Sequence, residues 1–202
     1  MGTMLSYNFA QASSMNPQSS YNSPNCVNNT NSTAFYLNAR CHNTLTKVSN
    51  TTIITDKHTV ASAGWHVVTT WLQQDTTLNG TLPTQVWISV SQDGGQSVNN
   101  ATELALVSNS SDAGKRNLQS LLFNEELYIS WEEEVNPGIF DLFLVESHDG
   151  GITLGATENV SNNPTTESRD SELWGDLTGK WGLTWLEDLP DGTTIEMDCG
   201  RC

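Results

Sequence analysis

The sequence predicts an all-β protein assembled from repeated antiparallel sheets, and three observations carry that prediction. The first is repetition. "VSN" occurs at 48, 107 and 160, and each copy is followed by a strand-like run ending in Trp: "HVVTTW" to Trp71, "ELYISW" to Trp131 and "KWGLTW" to Trp185. The spacing from Val to Trp is 23, then 24, then 25 residues. Unrelated loops would not agree so closely, and a near-constant period marks a repeat architecture. The second observation is an apolar period of two. Val67, Thr69 and Trp71 share one strand face, as do Leu127, Ile129 and Trp131, and Trp181, Leu183 and Trp185, because side chains alternate along extended chain. The third is a turn written twice, "SQDGGQSV" at 91–98 and "SHDGGITL" at 147–154.

Residues 1–32, rich in Asn, Ser, Gln and Pro, read as a polar arm with at most one strand near "LSYNFAQ". Residues 33–202 form the sheet domain, in units of roughly 33–48, 49–107, 108–160 and 161–202. The first unit, "TAFYLNARC" with "TLTKVSN", reads as the end of a degenerate copy. In each later unit the Trp strand leads through an acidic or polar loop to a second apolar run, "QVWISVS", "DLFLVES" or "TTIEMDC". A unit thus amounts to about four short strands with turns between them. The faces carrying Trp71, Trp131 and Trp185 are expected between neighbouring sheets.

Asp followed by two Gly suits a tight turn. Gly accepts positive φ, and the carboxylate accepts hydrogen bonds from turn amides that would otherwise lack partners. Ser91, Asp93 and Gly95, and likewise Ser147, Asp149 and Gly151, are therefore read as turn-building residues, with Val98 and Leu154 packing beneath.

Composition limits the partners. With 8 Lys and Arg against 23 Asp and Glu, the net charge is −15, so a nucleic-acid backbone is repelled. No run approaches the roughly 20 apolar residues of a membrane helix. The N-terminus lacks the basic start and apolar run of a signal peptide, so the chain is either cytoplasmic or a mature or trimmed form. Seven glycosylation sequons, at Asn28, Asn31, Asn50, Asn79, Asn100, Asn109 and Asn159, lean toward export. His42, His58, His66 and His148 fall in no metal or triad spacing. No cofactor or metal is expected.

The pattern Ser-x-Asp-x-Gly-x-Ser/Thr in the two turns, with the Trp-ended strands, "DLFLVESHDGG" and "ENVSNNP", resembles the Asp-box, or BNR-repeat, β-propellers of the sialidase-like kind. Val98 and Leu154 stand where that pattern usually has Trp. The resemblance covers roughly residues 33–198 and implies propeller blades of four strands, with the Asp-box between the third and fourth. It also implies, for the enzymes of that family, an arginine triad gripping a substrate carboxylate. Arg40, Arg116, Arg169 and Arg201 are the only arginines, and none lies in the family's context. Glu132, Glu133, Glu134, Glu187 and Asp188 follow Trp131 and Trp185 in what reads as solvated acidic loops.

Cys26, Cys41, Cys199 and Cys202 cluster at the two ends, which fits disulfides in an exported chain better than a redox or zinc motif. Cys41 and Cys199 occupy nearly equivalent repeat positions, so a blade at each extremity reads as short of strands. Either residues 1–24 donate the missing strand within the chain, or another copy supplies it and a filament results, or the sequence is a fragment of a larger propeller. The sequence is accordingly expected to encode an extracellular or cell-surface structural or adhesion protein. It is expected to be non-enzymatic, with other copies of itself, and glycans, as partners. The alternative is a sialidase-like glycoside hydrolase or glycan-binding module.

Overall fold

The computed structural model describes residues 36–37, 46–47, 55–74, 83–98, 102–103, 113–163, 165–176 and 178–201. The polar arm and its donor-strand role lie outside these residues. Every described element is a β-strand, and every pairing is antiparallel. A two-stranded ribbon joins β1 (Tyr36–Leu37) to β2 (Thr46–Lys47). The first full sheet runs in chain order through β3 (Thr55–Ala63), β4 (His66–Gln73), β5 (Gln85–Ser91) and β6 (Thr102–Glu103). The second repeats this with β7 (Lys115–Phe123), β8 (Glu126–Asn136), β9 (Ile139–Ser147) and β10 (Glu158–Asn159). The third holds β11 (Ser168–Gly175), β12 (Trp181–Asp188) and β13 (Thr194–Arg201).

The three sheets stack face against face, each in the same sense. Leu127, Ile129, Trp131, Phe143 and Val145 of the second sheet pack on Val68, Leu72, Val86, Ile88 and Val90 of the first. On its other face the second sheet offers Leu121, Tyr128, Leu142 and Leu144 to Trp181, Leu183 and Trp185 of the third. The period-two pattern explains this. Odd-numbered positions of β8 and β12 carry the Trp face, and the even positions of the preceding sheet receive it. The result is a propeller-like all-β architecture built from antiparallel blades.

The tryptophans occupy matching places. Trp71 lies opposite Trp87, Trp131 opposite Phe143 and Trp185 opposite Met197, and all three indoles are buried. Trp71 stacks on Trp87 with ring centroids 6.3 Å apart, and Trp131 on Phe143 at 6.0 Å. Cross-strand aromatic pairs of this kind are a main source of sheet stability.

Candidate functional site

At one end of the sheets sit the two Asp-Gly-Gly turns, following β5 and β9. Ser91 Oγ donates to Asp93 Oδ1 at 2.8 Å and accepts from Gly95 N at 2.8 Å. Asp93 Oδ1 accepts from Ser97 N at 2.9 Å, and Oδ2 accepts from Ser97 Oγ at 2.5 Å. The second turn reproduces each bond: Ser147 Oγ to Asp149 Oδ1, Gly151 N to Ser147 Oγ, then Thr153 N and Oγ1 to Asp149. Gly94, Gly95, Gly150 and Gly151 all have φ between 73° and 93°, a region only glycine enters without strain. Leu154 packs on the core between the first two sheets.

These bonds favour the ionised carboxylates. The hydroxyl of Ser97, then its amide and Ser91, lower the Asp93 pKa from 3.8 to about 2, and the hydroxyl and amide of Thr153 do the same for Asp149. A group with a lowered folded-state pKa contributes stability that is complete above its unfolded value and lost as pH falls through the folded one. Stability is therefore expected to decline as pH drops from 3.8 toward 2, with part of that decline missing when Asp93 and Asp149 are both replaced by Asn. Urea midpoints measured across this range check it, and identical acid profiles for the two proteins would contradict it.

The opposite end of the sheets gathers most of the charged groups. β7 touches both β3 and β11, so the first strands of the three sheets run side by side. Each begins with a β-bulge at the equivalent place, between Asp56 and His58, Arg116 and Gln119, and Arg169 and Glu172. At each bulge one non-glycine residue is left-handed: Lys57 at φ 35°, Asn117 at 50° and Asp170 at 53°. Asn and Asp tolerate this region better than other side chains. Bulges re-aim side chains and collect beside functional sites, as does backbone strain.

From this rim Arg116 reaches across two sheets. Its Nε donates to Glu132 Oε2 and its Nη2 to Glu167 Oε1, both at 2.6 Å, and its guanidinium lies 3.8 Å from the Phe140 ring centroid. Burial works against the charge of Arg116, but the bonds to Glu132 and Glu167 outweigh it and raise its pKa. Asn117 Nδ2 donates to Glu132 Oε1 at 2.8 Å and to Ser171 O at 2.9 Å. Arg169 pairs with Asp188 and Asp170, and these partners, Asp188 first, raise its pKa.

The runs after Trp131 and Trp185, expected as solvated acidic loops, are strand, and most of their acids are buried. Glu132, Glu133 and Glu187 are each at most 5 % exposed. The physical reason is that partners await them inside. Glu133 faces Lys115 at 3.6 Å and accepts from Trp131 Nε1 at 3.0 Å. Glu187 accepts from Trp185 Nε1, Ser168, Asn163 and Thr166. Glu134 caps the next turn by accepting from Gly138 N. A signal for this was present in the sequence as Trp-x-Glu: two residues on, a strand returns to the same face, within reach of the indole N–H. In the first sheet Gln73 takes that place and donates to Gln85, and among the described residues the Trp71 Nε1–H has no acceptor.

The remaining sequence expectations fall as follows. Asn159 Nδ2 donates to Asp141 Oδ2 at 2.7 Å, and a sugar on that nitrogen would leave it a single N–H for this bond; the other six sequons lie outside the described residues. Of the four cysteines only the backbone of Cys199, opposite Leu183, is described. His148 pairs with Glu126 at 2.6 Å. Among the described residues the arginines with side-chain contacts, Arg116 and Arg169, both lie at the rim, whereas the two turn motifs lie at the far end of the sheets. Among the described residues no cluster of His, Cys, Asp and Glu is arranged to hold a metal ion, and no helix is long and apolar enough to cross a membrane.

No family model matches the sequence, and no curated protein does. Solved structures do resemble the fold. An α-L-arabinanase from Penicillium chrysogenum is similar at 13 % identity and TM-score 0.48, covering 83 % of this chain and 53 % of its own. An α-L-arabinofuranosidase from Fusarium graminearum is similar at 10 % identity and TM-score 0.47, with the same coverage. A xylan β-1,4-xylosidase from Bacillus halodurans follows at 8 % identity and TM-score 0.30, covering 72 % and 41 %. The chain thus spans about half the length of the first two of these structures. All three are glycoside hydrolases, a finding that stands against the expectation of a non-enzymatic protein, although at these identities the likeness is one of fold. That expectation rested on the missing arginine triad, which tests only for a grip on an acidic sugar, and a hydrolase of neutral glycans has no need of it.

Proposed function

We propose that this chain belongs to a glycan-directed protein of the glycoside hydrolase kind, acting on neutral saccharides at the bulged rim. The observation that carries the reading is the threefold bulge, which sets Asn117 and Asp170 beside Arg116, Glu167, Arg169 and Asp188, all at least partly in solvent. Alternating guanidinium, carboxylate and carboxamide groups match the donors and acceptors of sugar hydroxyls. The −15 charge favours neutral over acidic glycans. Hydrolysis needs two carboxyl groups roughly 5 to 10 Å apart. Asp188 accepts from Arg169 twice and from Thr194, and Glu132, Glu133 and Glu187 are committed to buried partners, so Glu167, just before β11, and Asp170 within it, each with a single printed side-chain donor, are the pair for this role.

Arabino- and xylo-oligosaccharides incubated with the full chain are expected to yield shorter sugars, read by chromatography. Glu167→Gln or Asp170→Asn should slow this by about a hundredfold or more, the usual scale for losing an acid–base group. Intact oligosaccharides after incubation with the unaltered protein would remove the proposal.

A second reading, an extracellular surface protein that associates with further copies, is favoured by β13. Its outer edge has no partner among the described residues, and Ile195 and Met197 on it are exposed, as strand addition requires. The Asp-box kinship would be shared by both readings, since that turn occurs in enzymes and non-enzymes alike. Filaments in electron micrographs would favour the second.

A further inference from the structure

The residue after the buried Trp of each sheet is Leu72 in the first and Leu186 in the third, but Glu132 in the second. Packing accepts Leu at this place, whereas a buried carboxylate is costly unless it is partnered. Glu132 is 2 % exposed, and its partners are many. Its Oε2 accepts from Arg116 Nε at 2.6 Å, and its Oε1 accepts from Asn117 Nδ2 at 2.8 Å, Ser171 N at 3.1 Å and Ser171 Oγ at 3.3 Å. A carboxylate offers about four such places, so none is left for a ligand. The acid therefore serves through what it holds.

What it holds is both members of the carboxyl pair at the rim. Arg116, fixed by Glu132 at Nε, donates from Nη2 to Glu167 Oε1 at 2.6 Å. Ser171 comes directly after Asp170. β11 passes from Arg169 opposite Leu186 to Glu172 opposite Thr184, so Asp170 and Ser171 share the place facing Trp185. The Ser171 N–H and C=O are bonded to the second sheet: the amide donates to Glu132, and the carbonyl accepts from Asn117 Nδ2 and Gln119 Nε2. A buried amide needs such an acceptor, and Glu132 supplies it. With Ser171 gripped on one side and Arg169 paired to Asp188 on the other, the left-handed backbone of Asp170, φ 53°, is fixed between two anchors. We infer that Glu132 is the positioning residue of the rim, setting Glu167 through Arg116 and Asp170 through Ser171 without touching the saccharide itself. Its consequence for hydrolysis rests on the glycan-directed reading, whereas the placement rests on the hydrogen bonds alone.

The test replaces Glu132 in the full chain by Leu, the residue of the other two sheets, and by Gln, which keeps an acceptor oxygen for Ser171 N and Asn117 but offers Arg116 none. Hydrolysis of arabino- and xylo-oligosaccharides by Glu132→Leu is expected to fall about a hundredfold in kcat, the scale of a misplaced reacting group. KM should change little, as for a residue that does not bind the sugar, and Glu132→Gln should lose less kcat. Amide hydrogen exchange read by NMR reports the placement without substrate. In Glu132→Leu the Ser171 amide should exchange about tenfold faster or more, while the β12 amides of Leu183 and Trp185 keep their protection. An unchanged Ser171 amide, or an unchanged kcat for Glu132→Leu, would overturn the inference. So would protection lost evenly through β11 and β12, which marks a stabilising role and no more. If the wild type leaves the oligosaccharides intact, the rim reading falls, and the exchange result still decides whether Glu132 places Asp170.

Discussion

Replacing Trp131 by Ala is expected to remove about 3 to 5 kcal/mol of stability, the usual cost of truncating a fully buried Trp. The indole has no solvent exposure, stacks on Phe143 and fills the space between the first and second sheets. Its loss opens a cavity in the middle sheet, which packs against a neighbour on each side and has little freedom to collapse. The indole N–H also donates to Glu133, so a buried carboxylate loses a donor in the same step. Trp131→Phe keeps a ring against Phe143 but not this bond, and a smaller loss is expected. A folded domain holds about 5 to 15 kcal/mol in all, so the Ala variant should be largely unfolded at moderate urea. Circular dichroism through a urea titration measures the difference, and a loss below about 1 kcal/mol would contradict the stacked-sheet core.

Lys115→Met is the second large effect. Lys115 and Glu133 are both without solvent exposure, 3.6 Å apart, and Lys115 Nζ also donates to Ala113 O at 3.0 Å. Burying a charge is tolerable only with a partner, and removing one member strands the other at a cost of about 3 to 5 kcal/mol. Adding Glu133→Gln to the Met variant should recover most of the loss, because the pair then carries no charge and Gln can still accept from the Trp131 indole. The double-mutant cycle is read by denaturant midpoints. Two additive losses would show that the residues do not act as a pair.

The strands and their repetition are local properties. The alternation through Leu127, Ile129 and Trp131, and the recurrence of Trp at nearly constant spacing, are visible in any short window. The Asp-Gly-Gly turn is local too, since the bonds of its Ser and Asp side chains fall within the seven residues from Ser91 to Ser97 or from Ser147 to Thr153. The acids are different. In the sequence Glu132 and Glu133 are two members of a charge run, and within that run only the Trp-x-Glu spacing at Glu133 hints at the interior. Their partners come from other strands: Arg116 and Lys115 from β7, Ser171 from β11. The rim was likewise hidden, because Asn117 and Asp170 hint at a left-handed residue but Lys57 does not. The three bulges align only when the first strands lie together.

The sequence by itself determined the strand period, the tryptophan-bearing faces and the two glycine turns, because each depends on groups a few bonds apart along the chain. Stacking of the sheets decided which carboxylates are buried with a partner and which, at Glu167, Asp170 and Asp188, still face water. That choice depends on contacts between strands far apart in the chain, where desolvation and pairing are settled together.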